Sequence, residues 1–412
     1  MTKIRVTSLS RRAFVVGSAA GGLALGFHLP GMRAARAQNA GGAEVNAWVF
    51  IKPDDSCVIR IARSEMGQGT ITGLAQLVAE ELECDWKKVS VEQISPQDNL
   101  ARKRVWGEMG TGGSRGIRTS QDYVRRGGAA ARMMLLQAAA DEWKVPVGEL
   151  AVNDGMITHA ASNRSTSYGR LAVAASKLTA PDPKTITLKN PRDWKIAGKP
   201  LKRIDTAPKL DGSQVYAIDV KLPGMLCAAI QACPVFGGRL VSFDEQKIAG
   251  RRGVQKAVKV NDSTVAVVAD TWWRAKTALE ALPIVWDEGP AAKVNSAAIA
   301  EHLKEGLTAD ATNGERQNGD ALSAIAGAAK KIEATYGTPF LAHATMEPMN
   351  CTAKITADKA EIWVATQNAE ASLAALAEAS GLPLEKCAVY RTDLGGGFGR
   401  RGGTQDYVHQ AV

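Results

Sequence analysis

Residues 393–403 read DLGGGFGRRGG and follow the last strand-like segment of the chain. Three consecutive glycines leave a bare backbone, which can present successive N–H groups to a phosphate or a fused heterocycle. Phe398 supplies a flat apolar wall, and Arg400 or Arg401 can neutralise a phosphate. The stretch has neither the Gly-Lys-Ser/Thr of a P-loop nor the helix-opening glycine pattern of a dinucleotide fold. Taken alone, it predicts either a ligand-binding loop or a glycine-rich bulge without ligand.

Two earlier glycine loops, EMGQG at 65–69 and GTGGSRGI at 110–117, each precede a predicted helix. A glycine-rich turn at a helix N-terminus favours an anion, because of its free N–H groups and the helix dipole. In TQNAE (366–370), Gln367 is either an amide donor to a bound oxo group or a simple helix cap. Together the loops predict a ligand with phosphates at one end and a large planar group at the other.

The N-terminus has the pattern of a twin-arginine signal peptide covering residues 1–37. Arg11 and Arg12 precede a weakly apolar, glycine-rich stretch, and ARAQ offers a cleavage site after Ala37. A membrane anchor is the alternative, but the stretch is short and is broken by glycines and Pro30. Removing its six positive charges from the formal +9 leaves about +3, which gives no indication of nucleic-acid binding. We expect export to the periplasm or to the periplasmic face of the inner membrane.

The six cysteines contain no CxxC pair, and the five histidines show no HxH or HExxH spacing. These patterns argue against iron–sulfur clusters, zinc and other metals held by side chains of this chain. The cysteines are expected to be small buried residues, and a disulfide in an oxidising compartment stays open.

The 412 residues, 45% apolar and 23% charged, have a globular composition and are enough for two or three domains. Hydrophobic periodicity predicts an α+β fold. Predicted strands lie at 47–62 (two, around a Pro-Asp-Asp turn), 88–94, 215–220, 225–233, 263–269, 283–289, 332–337, 350–366 (a hairpin) and 386–393. Predicted helices lie at 70–84, 119–144, 271–282 and 369–381.

Several segments resemble the xanthine dehydrogenase-type molybdenum hydroxylases. KLPGML (221–226) and the segment 265–289 are similar to their small α/β "hammerhead" domain. AHATMEPMNCTA, WVATQN and DLGGGFGRR resemble successive landmarks of their molybdenum-binding domain. EMGQG and TGGS precede the hammerhead segment here, whereas they follow it in xanthine dehydrogenase. This permuted order, with the twin-arginine signal, resembles the large subunits of the isoquinoline 1-oxidoreductase (its beta chain) and membrane-associated aldehyde dehydrogenase type.

The resemblance implies a permuted molybdopterin-binding domain, an α/β hammerhead domain and the first part of a second molybdenum-binding domain. After the signal peptide, the predicted boundaries are 38–160 for the N-terminal molybdopterin-binding segment, 161–200 for a Pro-, Lys- and Thr-rich linker, 201–290 for the hammerhead domain and 315–412 for the incomplete molybdenum-binding domain.

The resemblance also implies roles for site residues. The loop at 396–399 would lie against the pterin and its dithiolene end, and Gln367 would hydrogen-bond an oxo ligand of molybdenum. Glu347 matches an acid near the substrate, although a buried acid bonded to the backbone is the alternative. The implied ligands of molybdopterin cytosine dinucleotide are Gly67, Gln68, Gly69, Gly112, Gly113, Ser114, Gly396, Gly397, Phe398, Gly399 and Arg400.

Members of this family add oxygen from water to an electron-poor carbon, with a glutamate as general base. The resemblance implies that electrons then leave through two [2Fe–2S] clusters. Since this chain has no cysteine motif for them, we expect a separate small iron–sulfur subunit, with a cytochrome c as the acceptor beyond it.

Two departures from the family pattern change the expectation. Xanthine-type enzymes carry a purine-binding glutamate where Gly402 stands here, so an aldehyde or an aromatic N-heterocycle fits better than a purine. The general-base glutamate of the family lies several hundred residues further on, and this sequence stops at Val412. We therefore expect a truncated or split product that needs a second polypeptide, or a non-catalytic remnant. A periplasmic nucleotide-binding module is a third reading, but it should lack the hammerhead pattern.

Overall fold

The computed structural model describes residues 41–309 and 318–412, and the predicted signal peptide lies outside them. The chain divides into two compact units. One comprises the described part of Met1–Ile218 together with Thr345–Val412, and the other is Asp219–Ala344. Both combine helices with sheets, as the predicted α+β class requires. No described helix is long and apolar enough to cross a membrane.

The first unit begins with a four-stranded sheet that carries the first glycine loop at one edge. Its strands, in spatial order, are β1 (Ala43–Glu44), β2 (Val49–Ile51), β3 (Cys57–Ile61) and β4 (Val89–Gln93). β2 and β3 are antiparallel, while β3 and β4 are parallel and are joined through helix α1 (Thr70–Leu82). Every residue of β3 is buried, as expected of a strand covered on both faces. The strand and helix predictions for this region are confirmed.

Two adjacent glycines allow a long helix to pack closely on α1 and on Trp48, the residue before β2. The next helices are α2 (Pro96–Ala101), α3 (Arg115–Arg118) and α4 (Gln121–Trp143). A β-carbon at Gly127 would stand 2.5 Å from the Trp48 ring, and one at Gly128 would collide with the Val78 carbonyl. Glycine costs helix stability, but here it permits the close contact that buries both helices.

The segment that follows, which includes the predicted linker at 161–200, is held on α1. It starts with strands and a helix: β5 (Leu150–Asn153), β6 (Met156–His159), β7 (Arg164–Ser167) and α5 (Tyr168–Ala175). Residues 177–200 have only short turns, but Glu80 of α1 accepts backbone N–H groups of Lys195 (2.8 Å) and Ile196 (2.6 Å). The amino-acid composition of 161–200 does not indicate these contacts with a buried carboxylate. Helix α6 (Thr206–Asp211) comes next.

The second unit is built on antiparallel strands covered by one helix. β8 (Cys227–Ala232), β10 (Val254–Asn261) and β11 (Thr264–Ala269) form one sheet in the order β10–β11–β8, and β9 (Arg239–Phe243) pairs with β12 (Ile284–Asp287). Helix α7 (Trp272–Glu280) packs its buried alanines on this sheet, and α8 (Ser296–Glu305) and α9 (Ala321–Ala326) follow. The predicted elements at 225–233, 263–269, 271–282 and 283–289 are confirmed.

Two predicted strands are wrong. Residues 217–219 of the segment 215–220 form a short 3-10 turn, and Tyr216 makes an isolated bridge to Asp393. Residues 332–337 have no regular structure, and Tyr336 is 90% exposed. An alternating apolar pattern becomes a strand when a neighbouring strand accepts its hydrogen bonds, and none among the described residues pairs with 332–337.

The chain then returns to the first unit and adds a three-stranded sheet. β13 (Cys351–Ile355) and β14 (Ala360–Val364) form the predicted hairpin, helix α10 (Ala369–Ser380) follows, and β15 (Cys387–Arg391) lies parallel to β14. Helix α11 (Asp406–Ala411) packs against this sheet. Parallel strands end at the same edge, so the loops after β14 and β15 leave the sheet side by side. These loops contain TQN and GGGFG.

Candidate functional site

The side chain of Gln367 joins two of the glycine loops. Its Nε2 donates to the Thr111 carbonyl at 2.8 Å, and its Oε1 accepts from the Gly399 N–H at 3.0 Å. The Thr111 N–H also donates to the Gln367 carbonyl at 2.7 Å. Gln367 is 4% exposed, so these bonds are made away from water. The structure therefore brings together the TGGS, TQN and GGGFG segments, as the sequence predicts.

Gln367 is not the helix cap that the sequence left open as an alternative. Asn368 occupies that position, and its side chain accepts from the Ala371 N–H at 3.2 Å at the start of α10. The second N–H of the Gln367 amide has no acceptor among the described residues. An unused donor in a buried amide is available to a ligand.

The EMGQG loop is organised around the carboxylate of Glu65. Its Oε1 accepts from the N–H groups of Gly67 (2.8 Å) and Gly69 (3.0 Å), and its Oε2 accepts from Ile71 at 3.2 Å. Glu65 is fully buried. The sequence predicts an anion at these N–H groups, and in the structure that anion is the chain's own carboxylate. The amides of Gly67 and Gly69 are consequently already satisfied.

Gln68 is folded back onto its own loop. Its Oε1 accepts from the Met66 N–H at 2.7 Å, and its Nε2 donates to the Ser64 carbonyl and the Thr70 hydroxyl at 2.9 and 2.8 Å. These bonds use both N–H bonds of the Gln68 amide. Gln68 thus rigidifies the loop rather than projecting from it.

The EMGQG loop contacts the GGGFG loop directly. The Leu394 N–H donates to the Glu65 carbonyl at 2.9 Å. Gly397 faces Met66 so closely that a β-carbon there would stand 2.5 Å from the Met66 sulfur. All three predicted loops therefore meet within the first unit.

Two runs of backbone N–H groups remain open at this junction. The amides of Gly112, Gly113 and Ser114 donate to no protein acceptor in the described part of the chain, and neither do those of the run 396–398. Gly113 and Ser114 both have left-handed backbones, with φ of 57° and 55°, and a β-carbon at Gly112 would meet nothing within 4 Å. Successive N–H groups in such conformations form a concave anion-binding surface. These six amides are the donors that the fold offers to a ligand.

Phe398 stands beside these donors. Its φ is 53°, and its side chain is 64% exposed. A bulky residue in the left-handed region is unusual and is held there by its surroundings. The exposed ring matches the flat apolar wall that the sequence predicts, whereas Gly399 gives its N–H to Gln367.

The two arginines after the loop have different surroundings. Arg400 makes a two-pronged pair with Asp406 at 2.8 and 2.7 Å, and this hydrogen bonding raises the pKa of the guanidinium. Arg401 is fully buried and donates to the carbonyls of Glu347 (2.6 Å) and Gly396 (3.1 Å). Burial lowers the pKa of Arg401, with the Glu347 charge opposing that shift. Arg401 holds the loop from within, and Arg400 has a carboxylate partner of its own.

Glu347 has the geometry of a buried acid bonded to the backbone, the alternative that the sequence left open. Its Oε2 accepts from the Gly395 N–H at 2.9 Å, and its Oε1 accepts from the Ile218 N–H at 3.1 Å. The Arg401 guanidinium lies 3.3 Å from Oε2. Oε2 therefore holds the GGGFG loop, and Oε1 is engaged by Ile218 and by the Asn350 amide at 3.2 Å.

Sequence reasoning missed residues that shape the site. Glu65 is the first residue of the EMGQG loop. An acidic residue at the start of a glycine loop is a signal by which its role could have been predicted. Arg63 is 1% exposed and donates to the Gly110 carbonyl and to the Ser120 hydroxyl. These two residues lie on either side of the TGGS segment, so Arg63 fixes both ends of that loop. No spacing in the sequence indicates the Arg63 contacts.

The segments that meet at this junction lie in two matched families. Two family models, each described as a molybdopterin cofactor-binding domain, match residues 10–216 and 304–412. The chain belongs to the molybdopterin cofactor-binding domain family. The predicted resemblance to molybdenum hydroxylase large subunits is confirmed.

Three relatives illustrate the family. The chain is 28% identical over 405 residues to the beta chain of isoquinoline 1-oxidoreductase from Brevundimonas diminuta, covering 86% of this chain and 51% of the relative. It is 28% identical over 412 residues to membrane-bound aldehyde dehydrogenase (pyrroloquinoline-quinone) of Gluconacetobacter polyoxogenes, covering 96% and 52%. Over 367 residues it is 28% identical to a subunit of nicotinate dehydrogenase from Pseudomonas putida, covering 87% and 30%. The chain spans about half the length of the first two relatives and less of the third.

The residues at the junction fit a molybdopterin cofactor. The open amides at 112–114 and 396–398 can donate to phosphate and to polar edges of a pterin, and Gln367 retains one free N–H. Within the described ranges, no three His, Cys, Asp or Glu side chains are grouped so as to hold a metal ion. The described residues therefore offer a cofactor backbone donors and shape rather than metal ligands.

Proposed function

We propose that this chain is the molybdenum-cofactor-binding part of the large subunit of an oxidoreductase that hydroxylates an aromatic N-heterocycle or oxidises an aldehyde. The observation that carries the proposal is the junction at Gln367, where a buried amide joins two runs of open backbone donors. Bound molybdenum cofactor supplies the redox chemistry by which oxygen from water is added to the substrate carbon. The relatives are named for isoquinoline, aldehyde and nicotinate, which are substrates of these two classes.

Each part of the junction has a distinct task in this proposal. The amides of 112–114 donate to the phosphates of the cofactor, in the form of molybdopterin cytosine dinucleotide. The amides of 396–398 donate to its planar end, and the Phe398 ring excludes water from one face. Gln367 directs its free N–H at the polar group bound nearest to it. Since the amides of Gly67 and Gly69 are taken by Glu65, the EMGQG loop contributes shape rather than donors.

The substrate class rests on the residue after the double arginine. Gly402 offers no carboxylate to recognise a purine, and the adjacent Gly403 offers none either. A site built to hydrogen-bond a substrate discriminates strongly against a substrate that cannot make the bond, and a site lacking that group loses the preference. An aldehyde or a small N-heterocycle requires no such contact.

The proposal includes partners and a location. Because the sequence contains no CxxC pair, electrons pass to a separate small subunit with two [2Fe–2S] clusters, and then to a cytochrome c. Export by the twin-arginine route places the complex in the periplasm or on the periplasmic face of the inner membrane.

The test is a cofactor measurement on the protein purified from its native host with whatever subunits accompany it. We expect equimolar molybdenum and, after acid hydrolysis, equimolar CMP. Turnover is then assayed with an aromatic N-heterocycle, an aldehyde and xanthine, and we expect activity with one of the first two. Absence of both molybdenum and CMP overturns the proposal. Equimolar cofactor with no turnover favours the non-catalytic remnant instead.

A further inference from the structure

Arg203, which lies outside the glycine loops in sequence, contacts the EMGQG loop. Its Nη1 donates to the Gly67 carbonyl at 2.8 Å, across 136 residues of sequence, and its Nη2 lies 3.2 Å from Glu65 Oε1. The guanidinium thus contacts the carboxylate that organises the loop and also the loop backbone. Arg203 lies in the predicted segment 201–290 but in none of the glycine loops or family motifs that the sequence analysis quotes.

Asp205 fixes the orientation of that guanidinium. Arg203 Nε donates to one oxygen of Asp205 at 2.9 Å and Nη2 donates to the other at 2.5 Å. Two parallel bonds between a guanidinium and a carboxylate define both distance and plane. Asp205 is 5% exposed, so the carboxylate end of the pair is buried, whereas the Arg203 side chain is 36% exposed.

Lys209 continues the chain of charges to the base of the GGGFG loop. Its ammonium pairs with Asp205 and lies 3.8 Å from Asp393 Oδ2. Asp393 is the first residue of the DLGGGFGRRGG stretch, and its other oxygen accepts from Gln93 at 2.5 Å. An alternating series of charges, Glu65–Arg203–Asp205–Lys209–Asp393, therefore runs between the two loops.

We propose that Arg203, Asp205 and Lys209 form a charged clamp that holds the EMGQG and GGGFG loops in the relative position in which they receive the cofactor. The identity of the ligand rests on the proposed function, whereas the clamp itself rests on the contacts above. Arg203 is a positioning residue, because it acts on Glu65 and Gly67. Breaking the clamp leaves buried carboxylates without their partners, which is strongly destabilising where the charges cannot reach water.

The clamp is tested by hydrogen exchange on the full chain prepared without cofactor. The readout is the set of hydrogen-bonded amides in the two loops: Gly67, Gly69 and Ile71 in one, and Leu394, Gly395 and Gly399 in the other. In an Arg203→Gln variant, we expect these amides to exchange at least ~10-fold faster, because local opening of both loops becomes easier. Amides in β2 and β10 should keep their protection. The control is Arg274→Gln, which removes an ion pair with Asp270 in the other compact unit and should change neither loop. The two arginine side chains are similarly exposed, at 32% for Arg274 and 36% for Arg203.

Two further variants keep the proposal falsifiable. Lys209→Met breaks the far end of the clamp and should speed exchange in both loops, even if Arg203→Gln does not fold. Arg203→Lys keeps the charge but loses the two-pronged contact, so its exchange rates should lie between those of the wild type and Arg203→Gln. Faster exchange confined to 201–212, or to one loop alone, overturns the clamp.

Cofactor content separates this proposal from the proposed function. In the purified complex, Arg203→Gln should retain several-fold less molybdenum than the wild type, and Arg274→Gln should retain the same amount. If the wild type carries no molybdenum, the proposed function fails, and the exchange result still decides the clamp. If both loops loosen but the molybdenum content is unchanged, the clamp does not serve cofactor binding and the proposal is overturned.

Discussion

Gly397 lies so close to Gln367 that a β-carbon added to the glycine would stand 2.8 Å from the Gln367 Oε1 atom. The same β-carbon would be 2.5 Å from the Met66 sulfur. A Gly397→Ala substitution should therefore push the loops apart, lower the free energy of unfolding by about 1–3 kcal/mol and reduce the molybdenum content. Gly403→Ala is the control, since a β-carbon there meets nothing within 4 Å. Urea unfolding and metal analysis would contradict us if the two variants behaved alike.

Gln367→Glu should disrupt the junction although it preserves shape. The new carboxylate can still accept from Gly399, but it faces the Thr111 carbonyl with an oxygen in place of an N–H donor. We expect a loss of about 1–3 kcal/mol in the free energy of unfolding and loss of cofactor. The control is Asn368→Asp, which makes the same amide-to-carboxylate change at the adjacent residue. It should leave the free energy of unfolding nearly unchanged, because either residue caps a helix well. Equal effects in the two variants would contradict the assignment.

Glu65→Gln should loosen the EMGQG loop. The amide group replaces one carboxylate oxygen by an NH2 group that faces backbone N–H donors at Gly67, Gly69 or Ile71. We expect the free energy of unfolding to fall by about 2 kcal/mol and proteolysis at 65–71 to accelerate. Glu378→Gln, on a side chain that is 79% exposed, should change neither property. An unchanged cleavage pattern in Glu65→Gln would show that the carboxylate does not hold the loop.

Asp205 should make the free energy of unfolding depend on pH in the acidic range. Burial raises its pKa, but hydrogen bonds from Arg203 and Lys209 outweigh burial and bring the pKa down from 3.8 to about 2. A lowered pKa in the folded state means that the stabilisation is complete above pH 3.8 and is lost as the pH falls towards 2. The wild type should therefore lose about 2 kcal/mol more than Asp205→Asn between pH 4 and pH 2. Parallel stability curves, from denaturant unfolding at several pH values, would contradict the ion pair.

The sequence indicated most of the elements of the first unit because their signals are local. The signals are the buried run of β3, the periodicity of α1 and the hairpin of β13 and β14. Each can be recognised within one short continuous segment of the sequence. The convergence of three glycine loops was also predictable from their shared composition. The pattern at 332–337 misled because strand formation depends on a neighbour that local sequence does not specify.

The contacts that shape the site were beyond sequence reasoning for a different reason. Glu65 reaches its three amides because Gly67 and Gly69 adopt positive φ angles of 102° and 83°, which wrap the backbone around the carboxylate. Arg203 meets that loop across 136 residues. Both depend on the folded geometry of distant segments, and neither follows a spacing rule.

The carboxylate inside the EMGQG loop has a consequence for competing anions. Glycine turns with free amides attract phosphate indiscriminately, and free phosphate and nucleotides are abundant in cells. By filling this turn with Glu65, the protein makes it unresponsive to such solutes. Of the three glycine loops, this one therefore keeps its Gly67 and Gly69 amides from phosphate, and the choice of ligand falls to the amides beside Gln367.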